Sequence, residues 1–308
     1  MKSPKHESYA ATIGVFDGVH TGHRFLLQQL HDESVRRGLR SMVVTFGIHP
    51  AEALGRPVPP LLTTTEERRQ ALGHLRDEGL IDSIVVLEDV KDIMTMTAEG
   101  FMTMLKERFG VAMVLMGYDH RFGCEQSADT AFYREAGKRI GIEVARARVS
   151  DAAEGFCPQS TVIRRLLAEG HADEAATLLG RPYTLQGEVV HGDQRGRKIG
   201  FPTANLHVDS TKLLPMEGVY AATALLPDGT AWPAMLYLGH RPTFKGNDEQ
   251  RVEAHLIGFD GDLYGLTLSV DVQRFVRGER KFRSANELAL QLEQDRTDCL
   301  LAWQPSDK

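Results

Sequence analysis

The sequence holds only three cysteines, Cys124, Cys157 and Cys299, odd in number and far apart. That excludes a disulfide framework and a zinc knuckle. No apolar run reaches the length that spans a bilayer, and the opening MKSPKHESYA carries no apolar signal core, so the expected location is the cytoplasm. An excess of positive charge is also missing. With a formal net charge of −6 over 308 residues, there is no general pull toward nucleic acid or anionic lipid. Aromatic residues make up 7% and do not interleave with basic ones, which argues against a nucleic-acid-binding surface. Any polyanionic ligand must therefore be held by a local cluster. No internal repeat or low-complexity segment occurs, and the spacing of a Walker A loop is absent.

What is present is an ordinary globular composition, 42% hydrophobic and 25% charged, long enough for two domains. Apolar runs at Tyr9 to Val15, Ser41 to Phe46, Ser83 to Leu87, Ala112 to Met116 and Val144 to Val149 read as strands. Between them, Arg24 to Arg37, Thr65 to Glu78, Thr97 to Arg108 and Asp129 to Ile140 show helical periodicity. This alternation predicts an α/β half with a mostly parallel sheet covered on both faces. Two shorter helices follow, Val162 to Glu169 and His171 to Leu179. At GRPY (180–183) the texture changes: LQGEVVHG, GVYAATALL, AWPAMLYLG and LTLSVDVQRFV read as strands of an antiparallel barrel or sandwich. The final segment, Ser284 to Trp303, opens on a capping-box pattern, Ser284 with Glu287, and returns to a helical period. The expected division is 1–182 and 183–308.

The stretch TIGVFDGVHTGHRFLL (12–27) places two histidines, His20 and His23, in the turn between a buried strand and a helix. A His-x-x-His pair can supply two zinc ligands, but no partner set completes a site. A helix N-terminus instead presents unpaired N–H groups to an anion, and Gly14, Gly18 and Gly22 allow close approach of the backbone. Imidazoles there can steady the α- and β-phosphates of ATP while a group is transferred, with no covalent intermediate.

GVFDGVHTGHRFLL resembles the His-x-Gly-His motif of the nucleotidylyltransferase superfamily, in the version carried by prokaryotic FAD synthetases. VTFGIHP (44–50), MGYDHRFG (116–123), STVIRRLL (160–167) and LLGRPY (178–183) are similar to further segments of that family. GRKIGFPTANL (196–206), GVYAA, RPTF (241–244), VEAHL (252–256), DLYG (262–265) and FVRGERKF (275–282) resemble riboflavin kinase. These motifs run in family order from about residue 11 to residue 295.

The resemblance implies a nucleotidylyltransferase-type, Rossmann-like domain that joins FMN to the adenylyl group of ATP. A riboflavin kinase β-barrel with a C-terminal helix would follow. His20, His23 and Arg164 would act on the ATP phosphates, with Gly14, Phe16, Asp17, Gly22, Ser160 and Thr161 in the same nucleotide site. Taken alone, Arg164 is an ordinary solvated helix arginine. Asp119 and Phe122 would line the flavin, although Asp119 can equally cap its own turn. His49 either reaches the adenylyl site or serves only the turn before Pro50. In the kinase half the resemblance makes Glu253 the general base. Glu253 and His255 alternate with Val252 and Ala254, so the two share one face of a strand. A surface salt bridge is the plainer use of that glutamate. Thr203 and Asn205 offer hard oxygen ligands for Mg²⁺. Gly192, Gly196, Lys198, Gly200 and Pro202 would fold over ATP, and Arg277 would face the flavin or its growing phosphate. The implied substrates are riboflavin, FMN and ATP, with Mg²⁺ in both half-reactions. Competing readings are a kinase whose first half is inactive or serves another acceptor, and a flavin-binding regulator without turnover. Oligomeric state is not legible.

Overall fold

The protein is described by a computed structural model over residues 7–117, 120–125, 127, 129–148, 159–192, 196–241 and 249–303, without the side chains of Lys198, Arg241 and Glu249. It divides into two compact units, 1–159 and 160–308. The expected boundary at 182/183 lies further along the chain, so the two divisions differ in where they place the helices before the barrel.

The first unit runs β1 (Tyr9–Ile13), α1 (Thr21–Arg37), β2 (Arg40–Phe46), α2 (Pro50–Ala53), α3 (Thr65–Asp77), β3 (Ser83–Leu87), α4 (Val90–Thr95), α5 (Ala98–Phe109), β4 (Val111–Met116), α6 (Thr130–Ile140) and β5 (Glu143–Arg146). Its sheet has the order β3-β2-β1-β4-β5, and every neighbouring pair is parallel. Alternation along β2 explains the double covering: Met42, Val44 and Phe46 join a core with Phe101 and Leu105 of α5, while Val43 joins one with Leu27 of α1 and Leu72 of α3. The chain first builds outward from β1 to β3, then crosses back to β4. The topological switch point therefore lies between β1 and β4, where open α/β sheets bind ligands beyond the strand ends. Two short helices, α2 and α4, were not expected from periodicity, because four and six residues carry too little of it.

The second unit begins with α7 (Ser160–Ala168) and α8 (Ala172–Leu179). It continues through β6 (Tyr183–Val190), β7 (Ala204–Val208), β8 (Gly218–Leu225), β9 (Ala231–Arg241), β10 (Glu249–Leu256) and β11 (Thr267–Arg277), and ends in α9 (Ala285–Ala302). The strands close into an antiparallel barrel, β10-β7-β6-β11-β8-β9, which decides between barrel and sandwich. Closure leaves the barrel no free edge. Cys299 and Leu292 of α9 pack with Phe201, Ala221 and Met235. Ser284 caps α9 by accepting from the Glu287 N–H, as the capping-box pattern predicts.

Candidate functional sites

In the first unit, β1 stops at Ile13, short of the expected Val15, because the chain turns sharply. Phe16 (φ 54°), Gly18 (φ 84°) and Val19 (φ 42°) all lie in the left-handed region. Non-glycine residues held there cost on the order of 1–3 kcal/mol each, and such strain concentrates at functional sites. The buried carboxylate of Asp17 offsets it, accepting from the N–H groups of Leu62 (3.1 Å) and Thr63 (2.9 Å) and from the Thr63 hydroxyl (3.1 Å). The Thr63 hydroxyl oxygen in turn accepts from the Gly18 N–H at 2.9 Å. Asp17, expected in the nucleotide site, thus fastens the turn to the segment before α3. Gly14 is held by its N–H on the Val44 carbonyl, 3.0 Å away.

His20 is the N-cap of α1. Its Nδ1 accepts from the His23 N–H at 3.3 Å, so α1 starts three residues earlier than periodicity alone indicates. An accepting Nδ1 in a neutral ring places the proton on Nε2. The two imidazoles stack with centroids 3.7 Å apart, and Phe16 meets His23 edge-on at 5.1 Å. His23 is partly exposed, yet its Nδ1 is buried and has no hydrogen-bond partner among the described residues. Burial, and then the charge His20 would carry, holds its pKa well below the usual histidine value. The His23 ring is therefore held in its neutral form. Gly22 occupies the first turn of α1 between them. His49 repeats the device at α2, its Nδ1 accepting from the Ala51 N–H at 3.1 Å.

After β4, the Phe122 ring is turned into the core at 5% exposure, tilted against Tyr133 with centroids 4.6 Å apart. Its backbone is clamped by Tyr133, whose hydroxyl donates to the Phe122 carbonyl at 3.0 Å and accepts its N–H at 3.1 Å. A side chain so placed supports the loop from behind rather than lining it. Asp119 lies outside the described residues. Ser160, Thr161 and Arg164 stand in the first turns of α7, which clusters with the second unit.

In the second unit, a cavity of about 330 Å³ is lined by Thr203, Tyr237, Arg251, Glu253, His255 and Arg277, among others, with Leu288 and Leu292 of α9 as its apolar wall. A second, about 400 Å³, is lined by Arg197, Pro202, Thr203, Asp262 and Tyr264 among others. Thr203 borders both. Its hydroxyl donates to Glu253 Oε2 at 3.0 Å, and Arg251 bonds Oε1 at 3.2 Å. The β10–β7 register sets Asn205 directly opposite Glu253. Gly192 abuts that amide so closely that a Cβ would come within 2.4 Å of Asn205 Nδ2. At Gly196 a Cβ would meet the Phe201 carbonyl oxygen at 2.0 Å, and the Phe201 N–H closes the turn onto the Gly196 carbonyl at 2.9 Å. Gly200 takes φ +84° within it. The Lys198 side chain, like residues 193–195, lies outside the described residues.

Arg277 reaches the first cavity, but the chain itself already holds its guanidinium. Nε donates to Asp295 Oδ1 at 2.9 Å and Nη2 to Oδ2 at 2.6 Å, while Nη1 donates to the Gly278 carbonyl at 3.0 Å. Tyr237, whose phenol is pushed up to about 12 chiefly by burial and then by its bond to Glu279, stays protonated and donates to Glu279 at 3.0 Å. Sequence reasoning missed Arg251, Tyr237 and Asp295. Arg251 alone carried a signal, two residues before Glu253 and so on the same strand face.

The chain matches the FAD synthetase family model over residues 2–157 and the riboflavin kinase family model over residues 179–301. It is 34% identical over 301 residues to the bifunctional riboflavin kinase/FMN adenylyltransferase of Escherichia coli K12, covering 96% of this chain and 93% of that protein. The protein of the same name from Pseudomonas fluorescens is 33% identical over 293 residues, covering 95% and 92%. A crystal structure titled a macrolide-efflux protein from Streptococcus pneumoniae aligns with a TM-score of 0.82 at 30% identity, covering 99% of this chain and 96% of that one. Among the described residues, no helix is long and apolar enough to cross a membrane.

Proposed function

Since the chain belongs to the family of bifunctional riboflavin kinase/FMN adenylyltransferases, we propose a residue-level division of its two reactions. The enzyme phosphorylates riboflavin with ATP to give FMN and ADP, then joins FMN to the adenylyl group of a second ATP to give FAD and pyrophosphate. We assign the first step to the barrel, in a domain spanning 183–308, and the second to the parallel-sheet domain spanning 1–182. A cytoplasmic location fits a reaction that consumes two ATP per FAD.

In the barrel, Glu253 takes the proton of the riboflavin 5′-hydroxyl, whose oxygen attacks the γ-phosphorus as ADP leaves. The observation that carries this assignment is Thr203 standing in the wall of both cavities with its hydroxyl on Glu253. A nucleotide in one cavity and a flavin in the other would meet at that residue. Gly192, Gly196, Lys198, Gly200 and Pro202 shape the nucleotide side. Arg277, its charge matched by Asp295, fixes the wall of the flavin side and offers its remaining N–H groups. Thr203 and Asn205 fit a cation that arrives with ATP. The Thr203 hydroxyl gives its proton to Glu253 and keeps lone pairs, and Asn205 stands across the ladder from that carboxylate. Among the described residues, no group of three His, Cys, Asp or Glu side chains is placed to hold a metal by itself. When bound, Mg²⁺ would neutralise phosphate charge.

In the sheet domain, the FMN phosphate attacks the α-phosphorus of ATP, and His20 and His23 donate to the charge that develops. The switch-point position of their turn and its strained backbone support this assignment. Gly14, Phe16, Asp17 and Gly22 shape the turn, Asp119 and Phe122 belong to the flavin loop, and Ser160, Thr161 and Arg164 supply further phosphate contacts.

The test is a time course with riboflavin, ATP and Mg²⁺, with flavins separated by chromatography. FMN should appear first and FAD later. Glu253→Gln should abolish FMN formation while FAD synthesis from added FMN continues. If FMN accumulates and FAD never forms, even from added FMN or reduced flavin, the histidine turn serves another substrate.

A further inference from the structure

His255 lies two residues beyond Glu253 on the same strand face and lines the same cavity. It takes no part in the proton transfer assigned to Glu253. The β10–β7 ladder ends at the pair Ala254–Ala204, and the next residues on the β7 side are Thr203 and Pro202. Proline has no N–H to continue a ladder. At that point the His255 side chain takes over: its Nδ1 lies 2.7 Å from the Pro202 carbonyl oxygen. A carbonyl only accepts, so Nδ1 carries the proton and donates. The ring also meets Phe201 at 5.3 Å between centroids. Phe201 closes the glycine turn onto Gly196, and Thr203, one residue past the bonded carbonyl, holds Glu253. His255 therefore grips the backbone between the nucleotide turn and the residue that touches the base.

We propose that His255 is a positioning residue of the kinase reaction, acting through its Nδ1–H on the Pro202 carbonyl to fix Thr203 between the two cavities. The proposal rests on the assignment of Glu253 and Thr203 to riboflavin phosphorylation. Burial lowers the pKa of His255, partly offset by the bond to the Pro202 carbonyl and by Glu293 and reinforced by Arg296, and in the neutral ring that donates through Nδ1 the lone pair is on Nε2. That lone pair makes His255 a rival base, and the experiment must separate the two roles.

Asparagine places an amide N–H where histidine has Nδ1, whereas glutamine places one where histidine has Nε2. Riboflavin phosphorylation should be measured in the full chain for His255→Asn, His255→Gln and His255→Leu, with FAD synthesis from added FMN as the internal control. Positioning through Nδ1 predicts that His255→Asn stays within about threefold of the parent. His255→Gln and His255→Leu should lose about tenfold or more in kcat/KM for MgATP. FAD synthesis from FMN should be unchanged in all three. Equal damage in the asparagine and leucine variants, or an undamaged leucine variant, overturns the proposal. Rescue by glutamine but not asparagine overturns it in favour of a role through Nε2. Glu253→Gln separates the two failures: if that variant still forms FMN, the assignment of the base has failed rather than the positioning.

Discussion

At the scale of single residues, the proposed function gives the two nitrogens of His20 two separate jobs. Nδ1 caps α1 by accepting from the His23 N–H, and that bond places the ring proton on Nε2, where it can be donated to a phosphate. The jobs can be separated, because asparagine is among the best N-cap residues but lacks a donor at the Nε2 position. His20→Asn is expected to keep the thermal midpoint of the parent while FAD synthesis falls by about a hundredfold or more, the usual loss when one donor to a developing charge is removed. His20→Ala should lose the same activity and also about 1 kcal/mol of stability, read from urea unfolding. FMN formation should be unaffected in both. If His20→Asn retained FAD synthesis, the imidazole would be a cap and nothing more. The neutral state of His23, set by burial and by its stacked neighbour, fits the proposed role of a donor that adds no fixed charge of its own.

At the scale of elements, the contact that joins β11 to α9 beside the first cavity is an ion pair. Asp295 is fully buried, and its carboxylate takes two N–H groups of Arg277 and the Gln291 amide at 2.8 Å. Removing one partner leaves a half-buried guanidinium without its carboxylate, so Asp295→Leu alone should destabilise the second unit by up to about 3 kcal/mol in denaturant. Replacing both, Arg277→Met with Asp295→Leu, should recover most of that loss, because an apolar pair avoids the desolvation cost. The double variant should nonetheless bind riboflavin more weakly, since Arg277 borders the cavity. A double variant no more stable than the single one would show that the pair is not what seats α9. Such pairing is where sequence reading stops. Period-two and period-3.6 patterns made most strands and long helices legible, and the histidine turn was legible because paired imidazoles are rare between a strand and a helix. β7 escaped because Pro-Thr-Ala-Asn reads as a turn, although its last two residues open a ladder. The resemblance set Arg277 toward the flavin or its growing phosphate, but nothing marked it as half of an ion pair, since Asp295 lies eighteen positions away with nothing local to link them. Phe122 was expected to line the flavin, yet its ring packs on Tyr133, whose hydroxyl reaches back eleven positions to its backbone.

At the scale of the whole molecule, the question is which unit owns α7 and α8. Sequence texture put the boundary at 182/183, whereas the chain divides spatially after 159. The physical reason lies in what the two helices bury. Ile163, Leu167, Ala172 and Ala175 are fully buried and Leu179 is 2% exposed. The Leu167 carbonyl accepts from the Met216 N–H at 2.9 Å. At Gly170 (φ +84°) a Cβ would come within 2.6 Å of the Met216 side chain. A buried leucine or isoleucine contributes roughly 1.5–3 kcal/mol, so cutting at 183 strips several such contributions from the barrel. A fragment spanning 160–308 is therefore expected to unfold at least 5 °C above one spanning 183–308, given about 2–4 °C per kcal/mol in domains of roughly this size. Both should form FMN from riboflavin, because every residue assigned to the kinase lies beyond 190. Neither should form FAD. Equal midpoints would mean that α7 and α8 add nothing to the barrel, and the functional boundary would then coincide with the change of texture at GRPY. A large gap would instead make the two helices part of the kinase fold while Ser160, Thr161 and Arg164 at their start are assigned to the other reaction. Arg164→Ala in the full chain then separates fold from chemistry: it should slow FAD synthesis and leave both the barrel's midpoint and FMN formation as they were.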